Sequence, residues 1–238
     1  MPLILAIDTA TGTTGVALIR DGAILAKEHA EGSRRSAEKI FSTIDGVLDR
    51  GGVTKDALEG VAVTTGPGAF TGLRVGIAIA KGLATGLGLK IAGVSTLKAL
   101  SLNVTALEGI LAVAIDARKG QVYSAAYDGE TGEELLGEGA RDPEAFREEL
   151  LSLCRPVLLI GSGAGAYPQM FFTENNEPIT PGDNSLWEID PASVALLGEG
   201  EFMAGAALPP ELLAPRYLRL SEAEEKKAAG TLGVSLKI

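Results

Sequence analysis

Asp8 closes an apolar run and is followed by Thr9-Ala10-Thr11-Gly12-Thr13-Thr14, a loop of hydroxyls around one glycine. Amides and hydroxyls in such a loop can donate to phosphate oxygens, and the acid can hold a hydrated Mg²⁺. A second acid, Asp116, ends Ala114-Ile115-Asp116, so the two carboxylates could face each other across a cleft. Taken alone, the same stretch also reads as a hairpin that merely turns. Other chemistries fail on inventory. The chain has one histidine, His29, read as an exposed strand residue, and one cysteine, Cys154. There is no His-Glu-x-x-His and no pair of histidines four apart, so a His-based zinc or iron site cannot be assembled. A serine hydrolase would need a Gly-x-Ser-x-Gly elbow and a dedicated imidazole base. Cys154 sits in Leu-Cys-Arg-Pro-Val-Leu-Leu-Ile and reads as a buried structural thiol. No catalytic residue and no metal ligand is assigned.

These residues need elements to hold them. Leu3 to Asp8, Val16 to Ile19 and Ala23 to His29 read as three strands, and Asp21-Gly22 is a strong hairpin signal. Together they form an antiparallel meander with the Gly/Thr loop at its first corner. Ser36 to Arg50 carries Ala37, Ile40, Phe41, Ile44, Val47 and Leu48 at helical spacing. Val61 to Thr64 is a short strand stopped by Gly66-Pro67-Gly68. Thr71 is then a candidate N-cap for a helix from Gly72 to Leu87, with Gly88 capping its end. Gly72, Gly76, Ala80 and Ala84 recur every four residues and form one smooth ridge, although an interior glycine costs a helix about 1 kcal/mol relative to Ala. The ridge lets another backbone come close, either within this chain or from a second subunit, and Arg74, Lys81 and Thr85 leave the other side polar. Lys81 and Lys90 interrupt the apolar run, which argues against a membrane span.

Gly66-Pro67-Gly68-Ala69-Phe70-Thr71-Gly72-Leu73-Arg74-Val75-Gly76, continued to Gly88 and followed by Gly93-Val94-Ser95-Thr96-Leu97-Lys98-Ala99-Leu100, resembles the signature of the bacterial TsaB (YeaZ) family. These are partner proteins of the tRNA threonylcarbamoyladenosine machinery. The resemblance spans about residues 3 to 219 and closes on Pro215-Arg216-Tyr217-Leu218-Arg219. One departure is visible: Ser36-Ala37-Glu38 stands where the family leads one to expect His-Ser-Glu, with Ser33 or Ser36 still able to cap the helix.

The resemblance implies an α/β, actin-like (ribonuclease H-like) duplicated two-lobed fold with mixed sheets flanked by helices. An internal repeat agrees with it: Ala6-Ile7-Asp8 and Asp21-Gly22 return as Ala114-Ile115-Asp116 and Asp128-Gly129. The second copy has lost the Gly/Thr loop and reads Ala117-Arg118-Lys119-Gly120. Asp142-Pro143 should open a helix and Val157 to Ile160 a buried strand. Gly161 to Ala166 is similar to the glycine turn that faces adenosine in actin-like proteins, and Ala192 to Gly200 offers another helix. The expected division is an N-terminal lobe over 1–103, a C-terminal lobe over 104–219 and a loosely held tail over 220–238.

At 238 residues and 46% hydrophobic content the chain can bury a large core. Its 31 acidic and 21 basic residues give a net charge of −10, which disfavours autonomous nucleic-acid binding unless charge is strongly segregated. A single cysteine excludes an internal disulfide and fits a reducing compartment, and the amino terminus lacks the features of a secretory signal, so the cytoplasm is expected.

The resemblance further implies a non-catalytic scaffold that activates a TsaD-type catalytic subunit. A TsaE-type ATPase would belong to the same assembly, and tRNA would be met only through the complex. No cofactor is required by this chain, with ATP allowed for in the complex, and no membrane is involved. The expected subunit surface is the helix pair 36–50 and 72–87, with Ile40, Phe41, Ile44, Gly72, Arg74, Gly76, Ala80 and Ala84, which could also serve a homodimer. The alternative is a free-standing actin-like ATPase or small-molecule kinase using Asp8, Gly12, Thr13, Thr14 and Asp116.

Overall fold

The computed structural model describes residues 1–30, 37–173 and 178–219. Ser33, Ser36 and the tail over 220–238 lie outside the described residues, so their expected roles are not addressed by it.

The first sheet is built from β1 (Ile4–Asp8), β2 (Thr14–Arg20), β3 (Ala23–Ala30), β4 (Gly60–Gly66) and β5 (Lys90–Ser95), in the order β3-β2-β1-β4-β5. β1, β2 and β3 form the antiparallel meander, and β4 and β5 add in parallel. The second sheet uses β6 (Ile110–Arg118), β7 (Gln121–Asp128), β8 (Glu134–Arg141), β9 (Val157–Ile160) and β10 (Ile179–Pro181), in the order β10-β9-β6-β7-β8. Read from the third strand, both sheets run meander first and two parallel strands after, so the repeat in the sequence is a duplication of topology.

Strand alternation decides which helix covers which face. Leu3, Leu5 and Ile7 face one way with Val16, Leu18, Val61 and Val63, and meet Ile40, Ile44, Val47 and Leu48 of α1 (Ala37–Gly51) and Ile77, Ala80 and Ala84 of α2 (Phe70–Leu87). Ile4, Ala6, Ala17, Ile19 and Ala62 face the other way, into a core shared with Leu111, Val113, Ile115 and Ala125 of the second sheet. α3 (Thr96–Ser101) and α7 (Pro191–Met203) contribute Leu97, Leu100, Val194 and Ala195 to that core. The far face of the second sheet is covered by α4 (Pro143–Ser152) and by the short α5 (Ser162–Ala166) and α6 (Pro168–Phe171), around Phe146, Leu150 and Phe171. Burying each such aliphatic or aromatic side chain is worth roughly 1.5–3 kcal/mol.

Three expectations change. α2 begins at Phe70 after Ala69 with no side-chain cap, so Thr71 is a first-turn residue and not the N-cap, while Gly88 ends the helix at φ 67° as expected. Cys154 is exposed, because it lies past α4 with φ 52° in the turn leading to β9, where the apolar side of the helix has already ended. The division at 103 separates the two sheets, but the chain from 191 onward returns to the first one. α7 lies so close to β4 that a Cβ at Gly198 would overlap Ala62, and Leu208 bridges to Ile91 through Ile91 N–H to Leu208 O at 2.9 Å and Leu208 N–H to Ile91 O at 2.8 Å.

The β7–β8 turn yields a pH prediction. Asp128 accepts from Thr131 N–H at 2.9 Å and Glu130 N–H at 3.0 Å, and pairs with Arg155 at 2.9 Å. The Thr131 amide first, and then Arg155, pull its carboxyl from an ordinary 3.8 down to about 2. A carboxyl lowered in the folded state adds stability that is present above its unfolded value and lost as pH falls toward 2. Asp128→Asn is therefore expected to be less stable than the parent at pH 6, with the difference shrinking between pH 4 and 2 in urea titrations.

Candidate functional site

The two lobes enclose a cleft of about 1010 Å³. Its walls come from Ala10, Thr11 and Gly12 after β1, from Pro67 to Phe70 at the start of α2, from Ile115 to Lys119 at the β6–β7 hairpin, and from Ser162 and Trp187. A strap formed by Arg216, Tyr217, Leu218 and Arg219 completes it.

The Gly/Thr loop splits in two. Asp8 is fully buried and is not part of the cleft lining. Its Oδ1 accepts from Thr64 Oγ1 at 2.7 Å and from Ala10 N–H at 3.0 Å, which ties the ends of β1 and β4 together and turns the loop. Thr13 and Thr14 are buried, and Thr13 Oγ1 lies 3.2 Å from His29 Nε2. Of the candidate phosphate residues on this side, Gly12 reaches the cleft and Asp8, Thr13 and Thr14 do not. Asp8→Ala is thus expected to lower stability by about 2–3 kcal/mol, the cost of leaving buried donors unmet, a loss that chemical denaturation would register.

Asp116 does line the cleft, with 14% of its side chain exposed. Its Oδ1 accepts from Tyr167 OH at 3.1 Å and Arg118 N–H at 2.8 Å, and Oδ2 pairs with the Arg118 guanidinium at 3.1 Å. Burial and the neighbouring Asp116 carboxylate raise the Tyr167 phenol above its ordinary value. The facing acids of the sequence reading are therefore one carboxylate at the wall and one behind it.

The glycine turn at 161 is demanded by packing. Gly161 has φ 99°, and a Cβ there would overlap Ala114 O. Gly66 plays the matching part on the first lobe, where a Cβ would come within 2.6 Å of Arg216 O. That close approach admits the strap: Arg216 N–H donates to Thr65 O at 2.8 Å. Tyr217 stacks on Phe70 with ring centroids 5.2 Å apart, and Arg74 donates to Tyr217 OH at 3.1 Å while lying 3.6 Å over the Phe70 ring. On the second lobe Arg216 pairs with Glu138 at 2.9 Å, and Arg219 donates to Ala117 O at 3.0 Å. The strap is the part the sequence reading missed, for the closing motif was visible but gave no sign of which surfaces it joins.

The expected subunit surface is also redistributed. Gly72, Gly76, Ala80 and Ala84 are buried, and a Cβ at Gly76 would overlap Thr9 Oγ1, which itself donates to Gly72 O at 2.8 Å. The ridge packs inside the chain because close approach to the β1 loop requires it. Ile40 and Ile44 are likewise core residues. Phe41, 46% exposed, and Arg74 remain on the outside of the two helices, joined by Ala78 and Gly82. Among the described residues no group of three or more His, Cys, Asp or Glu could hold a metal ion, and no helix is long and apolar enough to cross a membrane.

Two mixed five-stranded sheets of repeated topology, flanked by helices and opening on one interlobe cleft, define an actin-like duplicated α/β protein. A family model described as "TsaD: tRNA N6-adenosine threonylcarbamoyltransferase" matches residues 28–149. A Bacillus subtilis protein named tRNA threonylcarbamoyladenosine biosynthesis protein TsaB is 31% identical over 94% of this chain and 96% of its own length. The Escherichia coli protein of the same name is 34% identical over 94% and 97%. A solved Pseudomonas aeruginosa protein, described as uncharacterized with similarity to peptidase YEAZ, superposes with TM-score 0.79 at 29% identity, covering 92% of this chain and all of its own. The chain belongs to the TsaB (YeaZ) family.

Proposed function

We propose that this chain is a non-catalytic subunit that binds and activates a TsaD-type catalytic subunit in forming threonylcarbamoyladenosine on tRNA. The observation that carries the reading is the end-to-end match to proteins named for that biosynthesis. The site agrees with it: Asp8 joins strands at a buried position, and Asp116 is engaged by Arg118 and Tyr167. Both facts count against the ATPase or kinase alternative, which needs these groups turned toward a phosphate and metal.

The partner surface is the outside of α1 and α2, with Phe41, Arg74, Ala78 and Gly82. Close helix approach at Gly82 is open, since a Cβ there meets nothing within 4 Å. The same surface serves a homodimer when the partner is absent. A TsaE-type ATPase and tRNA join through the assembled complex, ATP is a ligand of that complex, and this chain needs no cofactor of its own. The setting is the cytoplasm.

Threonylcarbamoyl transfer to tRNA in a mixture of purified pathway proteins should require this chain, and the chain alone should transfer nothing. Equal transfer in its absence would sink the proposal.

A further inference from the structure

Exposed basic side chains of this acidic chain repeatedly pair with its own acids, as in Lys27–Asp190, Arg50–Glu28 and Lys55–Asp45. Arg74 does not. It stands exposed on the outer side of α2, and among the described residues no carboxylate pairs with it. Its contacts are of another kind. Nε donates to Tyr217 OH at 3.1 Å, the guanidinium lies 3.6 Å over the Phe70 ring, and that ring stacks on Tyr217. One donor and one face of the guanidinium are thereby taken. Because the group offers its N–H donors as a planar fork, the two Nη nitrogens keep the end-on edge that grips a carboxylate bidentately.

The strap keeps this fork in place. Tyr217 follows Arg216, whose N–H donates to Thr65 O at 2.8 Å and whose guanidinium pairs at 2.9 Å with Glu138, a side chain only 5% exposed. The phenol is therefore fixed through its neighbour to both lobes, and Arg74 is fixed through the phenol. Ordering a long, rotamer-rich side chain is one of the main costs of forming an interface, and here folding has already done it. Phe70 and Tyr217 remain 41% and 43% exposed beside the guanidinium, and aromatic rings with arginine are the composition of binding hot spots.

Charge says what the fork awaits. α2 carries Arg74 and Lys81 and neither Asp nor Glu. Lys81, about two turns further along the same face, donates to Glu211 O at 3.3 Å and Leu213 O at 3.0 Å, backbone carbonyls that leave its charge uncancelled. We infer that Arg74, pre-set by Phe70 and Tyr217, receives a carboxylate side chain of the TsaD-type subunit, so that a face of that partner bearing Asp or Glu docks along α2. The inference rests on the reading of this chain as a subunit that binds a TsaD-type protein. It deepens that reading by naming the chemistry the partner brings and by making Tyr217 of the strap a positioning residue for the docking surface.

The test is titration calorimetry of the full chain against a purified TsaD-type subunit, between roughly 50 and 400 mM salt. Arg74→Gln is expected to bind about tenfold or more weakly at the low-salt end and to lose much of the salt dependence. Tyr217→Phe keeps the ring and leaves the charge of Arg74 but removes the hydroxyl, so it should bind about threefold more weakly with the parental salt dependence. Lys90→Gln, the same loss of charge beyond the far end of α2, should match the parent, and urea midpoints of all three variants should stay close to parental. Neutralising the partner's surface Asp and Glu residues one at a time should find one whose loss equals that of Arg74→Gln and adds nothing to it in the double variant. If Arg74→Gln binds as the parent does, or if no acid of the partner couples to it, the carboxylate contact is refuted while the scaffold reading stands. If pair affinity is unchanged and retention of tRNA by the complex falls in Arg74→Gln, the fork takes a phosphate, and the inference is likewise overturned. A parent chain that does not bind the subunit at all removes the scaffold reading, and the inference falls with it.

Discussion

Gly76→Leu is expected to unfold the chain or to lower its stability by several kcal/mol, and Gly76→Ala to cost about 1–3 kcal/mol, the range for overfilling a packed site. The added Cβ would overlap Thr9 Oγ1, and Thr9 cannot step aside because it is fully buried and donates to Gly72 O. Against a total stability of about 5–15 kcal/mol such losses are large. Further along the same helix, Gly82→Ala should do the opposite and stabilise by about 0.5–1 kcal/mol, since a Cβ there meets nothing and only the helix penalty of glycine is removed. Urea denaturation of the variants decides the matter. If Gly76→Ala were neutral, the inward packing of this ridge would be wrong.

Phe41→Asp is expected to weaken association with the TsaD-type subunit by about 2–4 kcal/mol, the scale of an interface hot spot, while leaving the fold intact. The ring is 46% exposed on α1, whereas Ile40 and Ile44 beside it are inside the core. Placing a carboxylate where an apolar ring is to be buried adds desolvation to the lost contact. Titration calorimetry on the purified pair would measure it, and an unchanged affinity would move the interface off this helix.

The contrast between those variants shows how far the sequence could be read. A four-residue repeat of small side chains announces close packing, because glycine inside a helix is costly. It cannot say what approaches, since a neighbouring loop and a foreign helix make the same demand on the residue. The strands and the duplication were legible for a simpler reason: Ala6-Ile7-Asp8 and Ala114-Ile115-Asp116 each keep an apolar run, an acid and a returning strand in one order. Thr71 misled as a cap because Ala69 is held from outside the helix, its N–H donating to Ala10 O at 2.9 Å. Cys154 misled because an apolar neighbourhood in sequence was broken in space by one left-handed residue. Asp8 stands out in the sequence as a special residue, but the ligand expected for it is replaced in the fold by Thr64, a partner 56 positions away. The strap was invisible for the same reason, being defined by contacts with Thr65, Phe70 and Ala117 that lie far upstream.

The return of α7 to the first sheet also has a temporal meaning. During synthesis the strands of that sheet emerge early, yet part of the cover for Ile4, Ala6, Ala17 and Ala62, the helix α7, is encoded beyond residue 190. At about 5–20 residues per second, on the order of five to twenty seconds separate the appearance of β5 from that of its lid. The half-made protein therefore spends that interval with an apolar sheet face only partly covered, and the emergence of α7 ends its exposure to chaperones and to aggregation.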